Sequence, residues 1–254
     1  MTTRNDLVDF LNRTLDLSSF SGDISNNGLQ IEGKDEVKKI LFAVDGCLEV
    51  FEYAAENGCD FIFVHHGISW GGGLKRWTGM DAKRFSVLFR NQISLYAAHL
   101  PLDAHPLYGN NAVLADMVGL SERTPFFEYD GVKIGFSGTL QVNRTLQEIA
   151  NELGGNLETE PILRGDASQI IRKAAIVSGG GGADSIFAAK AAGCDLLITG
   201  ELEHIMHHPA QELGVAIIAL GHYASETTGP LAMQKLISEN FDVETLFAEV
   251  PTGL

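Results

Sequence analysis

Short apolar runs alternate with amphipathic stretches along most of this chain. The runs KKILFAVDG (38–46), CDFIFVHHG (59–67), ISLYAAH (93–99), VKIGFSGTL (132–140), AAIVSGGGG (174–182), DLLITGE (195–201) and VAIIALGH (215–222) read as strands. They are apolar on both alternating faces, as buried strands of a parallel sheet are. Between them, residues 4–16, LEVFEYAAENG, MDAKRFSVLFRNQ, GNNAVLADMVGL, TLQEIANELGG, DSIFAAKAAGC, HIMHHPAQELG and SETTGPLAMQKLISEN carry helical spacing. Thr3 is placed to cap the first helix, with Asp6 as its acidic partner. Pro230 falls in the first turn of the last helix or kinks it. Alternating strand and helix predicts an α/β fold with mainly parallel sheets.

The pattern also repeats. ILFAVDGCLEVFEYAAENGCDFIFVHHG aligns with AAIVSGGGGADSIFAAKAAGCDLLITGE when their Gly-Cys-Asp triplets are superposed, and Gly58 and Gly193 lie 135 residues apart. Any two βαβ units share such a rhythm. The more specific reading is two similar three-layer α/β domains, 1–125 and 126–239. A composition shift at SERTPFFEYDG would separate them, and the segment near 240–254 would return to the first. Ligands of open α/β sheets collect at the carboxyl ends of the strands, so a cleft between two such domains is the expected site.

Candidate chemistry sits at those strand ends. FIFVHHG ends in His65 and His66. SLYAAHLPLD ends in His99 with Asp103 four residues on. VAIIALGHYASE ends in His222 with Glu226 four residues on. Imidazole with carboxylate suits zinc, iron, manganese or nickel. Adjacent His65 and His66 could each serve one of two neighbouring metals. Leu-Pro-Leu predicts an extended turn that bends Asp103 back toward the strand end, where a carboxylate can bridge two ions. The i, i+4 spacing of His222 and Glu226 puts both on one helix face.

GELEHIMHHPAQ adds Glu201, His204, His207 and His208. On one helix, Glu201, His204 and His208 would share a face, either as a solvated surface or as a proton shuttle beside the metals. VSGGGG fits a phosphate cradle or a tight strand-to-helix turn equally well. Trp70 and Trp77 flank GGGLKRW, a lid or a plain surface loop, whose Lys75-Arg76 pair could meet a triphosphate.

Composition narrows the classes. A chain of 254 residues, 45% hydrophobic, can bury a full core. The net charge of −15 disfavours non-specific nucleic-acid binding, and metal ions would supply a cationic pocket for a nucleotide. No apolar run approaches the roughly 18 residues of a membrane span. The first residues lack an apolar signal core, so a cytoplasmic location is expected. Cys47, Cys59 and Cys194 are isolated, which suggests neither disulfides nor a thiolate zinc site.

NNGLQIEG, FVHHGISW, YAAHLPLDAHPLYGNNAVLA, TGE and GHYASE, taken together and in order, resemble the Nif-three-like family, also known as the GTP cyclohydrolase I type 2 family. The length is similar to its short members, without the inserted domain of longer ones. The resemblance implies two α/β domains with a dinuclear centre between them and a homohexamer built as a trimer of dimers. It implies two divalent ions per subunit, held by His65, His66, Asp103, His222 and Glu226, with His99 a ligand or a neighbour. It implies a metal-dependent hydrolase in which activated water opens the guanine ring of GTP at C8; in such a site one of His99, His204 or His208 could shuttle protons, with Glu201 in the same polar cluster. The same ligand set serves a metal-binding scaffold or store without turnover, or a dinuclear phosphoesterase or amidohydrolase acting on another small molecule.

Overall fold

The structure, a computed structural model, describes residues 1–72 and 76–254. In chain order its elements are β1 (Thr2–Thr3), α1 (Arg4–Thr14), β2 (Gly28–Ile31), β3 (Glu36–Val37), β4 (Lys39–Asp45), α2 (Leu48–Glu56), β5 (Phe61–His66), α3 (Met80–Asn91), β6 (Ser94–Ala97), α4 (Leu100–Ala104), α5 (Asn110–Met117) and β7 (Leu120–Tyr129). The chain continues with β8 (Val132–Thr145), α6 (Leu146–Asn156), β9 (Ile162–Arg164), β10 (Ile170–Val177), α7 (Asp184–Ala191), β11 (Leu196–Thr199), α8 (His207–Leu213), β12 (Ala216–Ala219), α9 (His222–Glu226), α10 (Thr228–Asn240) and β13 (Glu244–Phe247). Short 3-10 turns occupy Leu17–Phe20 and His204–Met206. Among the described residues no helix is long and apolar enough to cross a membrane.

Contacts divide the chain into two compact units. The first takes residues 1–102 and 229–250, the second 103–228 and 251–254. The first unit holds a five-stranded sheet in the order β13-β4-β5-β6-β2, parallel except for β2. Leu41, Ala43, Ile62, Val64, Leu95 and Ala97 pack from one face against Val50, Phe51 and Ala54 of α2 and Leu88 of α3. The other face stacks aromatic rings: Phe63 lies 5.5 Å from Phe42 and 5.7 Å from Tyr96. The Tyr96 hydroxyl donates to Asn12 of α1 at 3.0 Å, which fixes that helix on this face. Thr3 caps α1 as expected, its hydroxyl oxygen accepting the Asp6 amide.

The second unit holds a six-stranded mixed sheet, β7-β8-β10-β11-β12-β9. Its centre, β10-β11-β12, is parallel; the β7-β8 hairpin and β9 join it antiparallel. SERTPFFEYDG, where composition shifts, is thus a hairpin strand and turn. Leu114 and Val118 from the α5 end, and Ile149 and Leu153 from α6, cover Ile176, Ile198 and Ile218. A capping box at Thr145 and Glu148 starts α6.

The internal repeat is real at the level of individual hydrogen bonds. In the first unit Gly58 takes a positive φ, the Cys59 amide donates to Ala54, and Asp60 turns its carboxylate onto the amides of Lys38 and Lys39 at 2.7 and 3.1 Å. In the second, Gly193 takes a positive φ, the Cys194 amide donates to Ala189, and Asp195 accepts the amides of Arg172 and Lys173 at 3.0 and 3.1 Å. Each Gly-Cys-Asp therefore ends a helix, buries a small thiol and pins the start of the preceding strand to the next. Burial pushes both thiols up to about 11, so they pack as apolar groups.

Asp60 is buried, and Asp195 is partly open. Asp60→Ala leaves two partly buried amides without their carboxylate acceptor. It is expected to lower stability by about 2–3 kcal/mol in urea titration, with Asp195→Ala weaker in the same direction. Equal, negligible effects would show that the repeated carboxylate does not hold strand to strand.

Candidate metal centre

In the first unit three histidines converge at the ends of β5 and β6. His65 is fully buried, and its Nδ1–H donates to the Ala98 carbonyl at 2.9 Å. The His66 Nδ1–H donates to Asp45 at 2.8 Å, and the His99 Nδ1–H donates to Asp23 at 3.0 Å. Ring centroids lie 4.5 Å (His65–His66), 5.3 Å (His65–His99) and 5.7 Å (His66–His99) apart. Ligand atoms of the three lie within 4.8 Å of one another.

A carbonyl or carboxylate oxygen only accepts, so each Nδ1 carries a proton, and in the neutral ring Nε2 is then the nitrogen able to ligate. This is the orientation in which a histidine ligates a cation while an outer acceptor fixes its ring. The donor set fits a divalent ion of the first-row type.

The polar, turn-rich segment before β2 supplies the supports. Asp23, its side chain almost wholly buried, accepts from Nδ1 of His99, the side-chain amide of Asn27 and the backbone amides of Ser25 and Leu100. Burial alone would raise its pKa; these hydrogen bonds outweigh it and hold the carboxyl below its ordinary value. Asn27 also accepts the His99 backbone amide at 2.8 Å. Gln30 accepts the amides of Ile68 and Ser69. Gly67 closes the HHG run because a Cβ there would meet the Gln30 amide at 2.4 Å and Ala97 at 2.6 Å. Each polar residue of NNGLQ thus has a task at the strand ends.

The second unit holds Asp103, His222 and Glu226. Asp103 lies in α4. The expected extended turn over Leu-Pro-Leu is instead this short helix, because Pro101 falls in its first turn, where no amide is needed. Asp103 is buried, and one oxygen accepts from Asn110 at 2.9 Å and Ser178 at 3.2 Å. His222 opens α9, and its Nδ1–H donates to Glu201 at 2.6 Å. Its Nε2 faces the buried Glu226 at 3.2 Å, one helical turn on. The fourth histidine shares the Nδ1 anchoring of the other three, but its Nε2 is paired with a carboxylate.

Glu201 does not share a helix with His204 and His208. It sits in the irregular stretch after β11, while His204 lies on a 3-10 turn and His208 on α8, both exposed; His207 is exposed beside them. The helical spacing assumed for Glu201 fails because the helix begins only at His207.

VSGGGG leaves room for a carboxylate. Gly179 has φ +61, and a Cβ on it would stand 2.1 Å from Glu226. A Cβ on Gly181 would meet Thr199 at 3.0 Å. Lys75 lies outside the described residues, and Arg76 is exposed.

Fold and site define an α/β protein of two similar units whose strand ends carry oriented histidines and buried carboxylates. The chain belongs to the Duf34/NIF3 (NGG1p interacting factor 3) family, whose model matches residues 2–253. A GTP cyclohydrolase 1 type 2 homolog from Pyrococcus abyssi is 44% identical over 254 residues, covering 99% of each chain. A protein of the same name from Archaeoglobus fulgidus is 43% identical over 249 residues, 98% of each. The crystal structure of TTHA1606 from Thermus thermophilus superposes with TM-score 0.89 at 37% identity, covering 99% of this chain and 100% of that one.

Two outcomes follow from the second unit. Gly179→Ala combines a disfavoured backbone with a clash on Glu226. It is expected to lower stability by about 1–3 kcal/mol and to abolish metal uptake, read by calorimetry and elemental analysis. The hydrogen bond to Glu226, assisted by Glu201 and opposed by burial, pushes His222 up to about 9 from 6.5. Its folded pKa is raised, so its contribution to metal-free stability is complete below pH 6.5 and is lost as pH rises through about 9. NMR titration of chelated protein should find that midpoint, and Glu226→Gln should lower it. A midpoint near 6.5 in both proteins would refute the pairing.

Proposed function

We propose that this protein is a metal-dependent hydrolase with a dinuclear divalent centre held by His65, His66, Asp103, His222 and Glu226. The observation that carries the reading is the shared state of His65, His66, His99 and His222. Each commits Nδ1 to an oxygen acceptor, so Nε2 is the nitrogen that would meet a cation in His65 and His66, would do so in His222 once the proton it shares with Glu226 is displaced, and exchanges a proton in His99. The names of the relatives make GTP the first substrate to try, with attack at C8 of guanine and release of formate.

Such ions, when bound, would lower the pKa of a water and so supply hydroxide near neutral pH. The chain's own part is to hold and orient. Asp45 and Glu201 fix the rings of His66 and His222. Asp103, one oxygen held by Asn110 and Ser178, would be one of the carboxylates that hold the ions. His99, steadied by Asp23, takes up a proton at Nε2 during ring opening.

The test is elemental analysis of gently purified protein, with GTP turnover before and after chelation and metal add-back. About two ions per chain and chelation-sensitive formate release are expected. His222→Ala should lose metal and turnover together. Glu201→Gln should weaken metal affinity about 10- to 100-fold. His99→Asn should keep the metal and lose about 10²–10⁴ in rate. Turnover that survives complete metal removal would sink the mechanism, and stoichiometric metal without any turnover would turn the assignment toward a scaffold or store.

A further inference from the structure

Trp70 stands apart from the other residues around the histidine cluster because it can neither ligate a metal nor accept a proton. Its ring lies 5.1 Å from that of His99, edge to face, and 6.2 Å from that of His66. It is half-buried, not part of the core. Even so, the chain fixes it on every side. Its indole N–H donates to the Gly67 carbonyl at 2.8 Å. Its backbone forms an isolated antiparallel bridge with Ser25. The neighbouring Ser69 carbonyl accepts the Asn26 amide at 3.1 Å, and the Gly71 amide donates to Ile24 at 2.6 Å. The Asn26 side-chain amide reaches both the Ser69 hydroxyl and the Gly71 carbonyl.

The indole is thus anchored through its N–H and its backbone, with its ring beside those of His66 and His99. A fixed, partly open aromatic ring is a surface on which a planar ring stacks, and it places that ring beside the histidines at little further entropic cost.

We propose that Trp70 is the stacking platform for a planar heterocycle of the substrate, which makes the substrate class a purine-like ring compound and not a phosphoester or peptide without a base. The inference rests on the hydrolase reading for the location of the reacting atoms, but it concerns binding, which is measured without turnover.

Trp77→Phe leaves Trp70 as the single indole, so quenching of its fluorescence reports directly. Metal-loaded Trp77→Phe protein is titrated with guanosine, GTP and inorganic tripolyphosphate. Guanosine and GTP should quench, and tripolyphosphate should not. In calorimetry, Trp70→Leu should weaken guanosine binding about ten- to a hundredfold with metal content unchanged. Trp70→Phe, which keeps a ring but loses the N–H bonded to Gly67, should retain most of the affinity. A merely structural indole would instead fail equally as Leu and as Phe.

If turnover is present, the Leu variant should raise KM far more than it lowers kcat. Quenching by tripolyphosphate equal to that by GTP, or guanosine affinity untouched in Trp70→Leu, would overturn the proposal. Base binding without hydrolysis would sink the hydrolase reading and leave the platform standing.

Discussion

An imidazole can bind a cation through either nitrogen, and a ring free to flip presents neither reliably. Much of this structure serves to remove that freedom. The Ala98 carbonyl, Asp45, Asp23 and Glu201 each take one Nδ1–H. Those acceptors must themselves be fixed. Asp23 is fixed by Asn27 and two backbone amides beyond the histidine it holds, so the irregular segment before β2 is as ordered by hydrogen bonds as a strand. On the other unit, Asn110, Asn111 and Ser178 are buried polar residues that hold Asp103 and one another. Buried polar groups are tolerated only when satisfied in this way.

The parallel core strands and the histidines at their ends were legible because both are local. A buried strand announces itself by an unbroken apolar run, and a residue just past it must emerge at the carboxyl edge. The i, i+4 pair of His222 and Glu226 was legible for the same reason. Asp23 and Asp45 were not. Each meets its histidine 76 or 21 residues away, and in sequence each looks like an ordinary turn carboxylate. Glu201 was visible but placed in the wrong company, since helical periodicity was extended back across a stretch that has none. The glycines of VSGGGG were visible too. Their reason, space for Glu226, depends on a residue 47 positions downstream of Gly179.

The two Gly-Cys-Asp corners show how far the units share a design and where they part. Both use one carboxylate to bind two successive amides at the head of a strand. Around that common frame the first unit adds the antiparallel edge strand β2, fed by the segment that carries Asp23 and Asn27. The second adds the β7-β8 hairpin and β9. The corresponding strand ends then carry different chemistry. His66 occupies the position of Glu201, so one copy supplies an imidazole and the other the carboxylate that orients one.

The β13 strand pairs in parallel with β4, though almost the whole second unit lies between them in the chain. During synthesis from the amino end, β4 is made early and its outer edge has no neighbour until residues 244–247 leave the ribosome. Unit two has all its strands by residue 219 and is free to close first. The nascent chain thus carries an open, apolar sheet edge for most of its translation, the kind of surface that recruits another strand or a chaperone. Premature termination just before β13 would leave that edge open permanently, with every histidine and carboxylate of the site already in the chain.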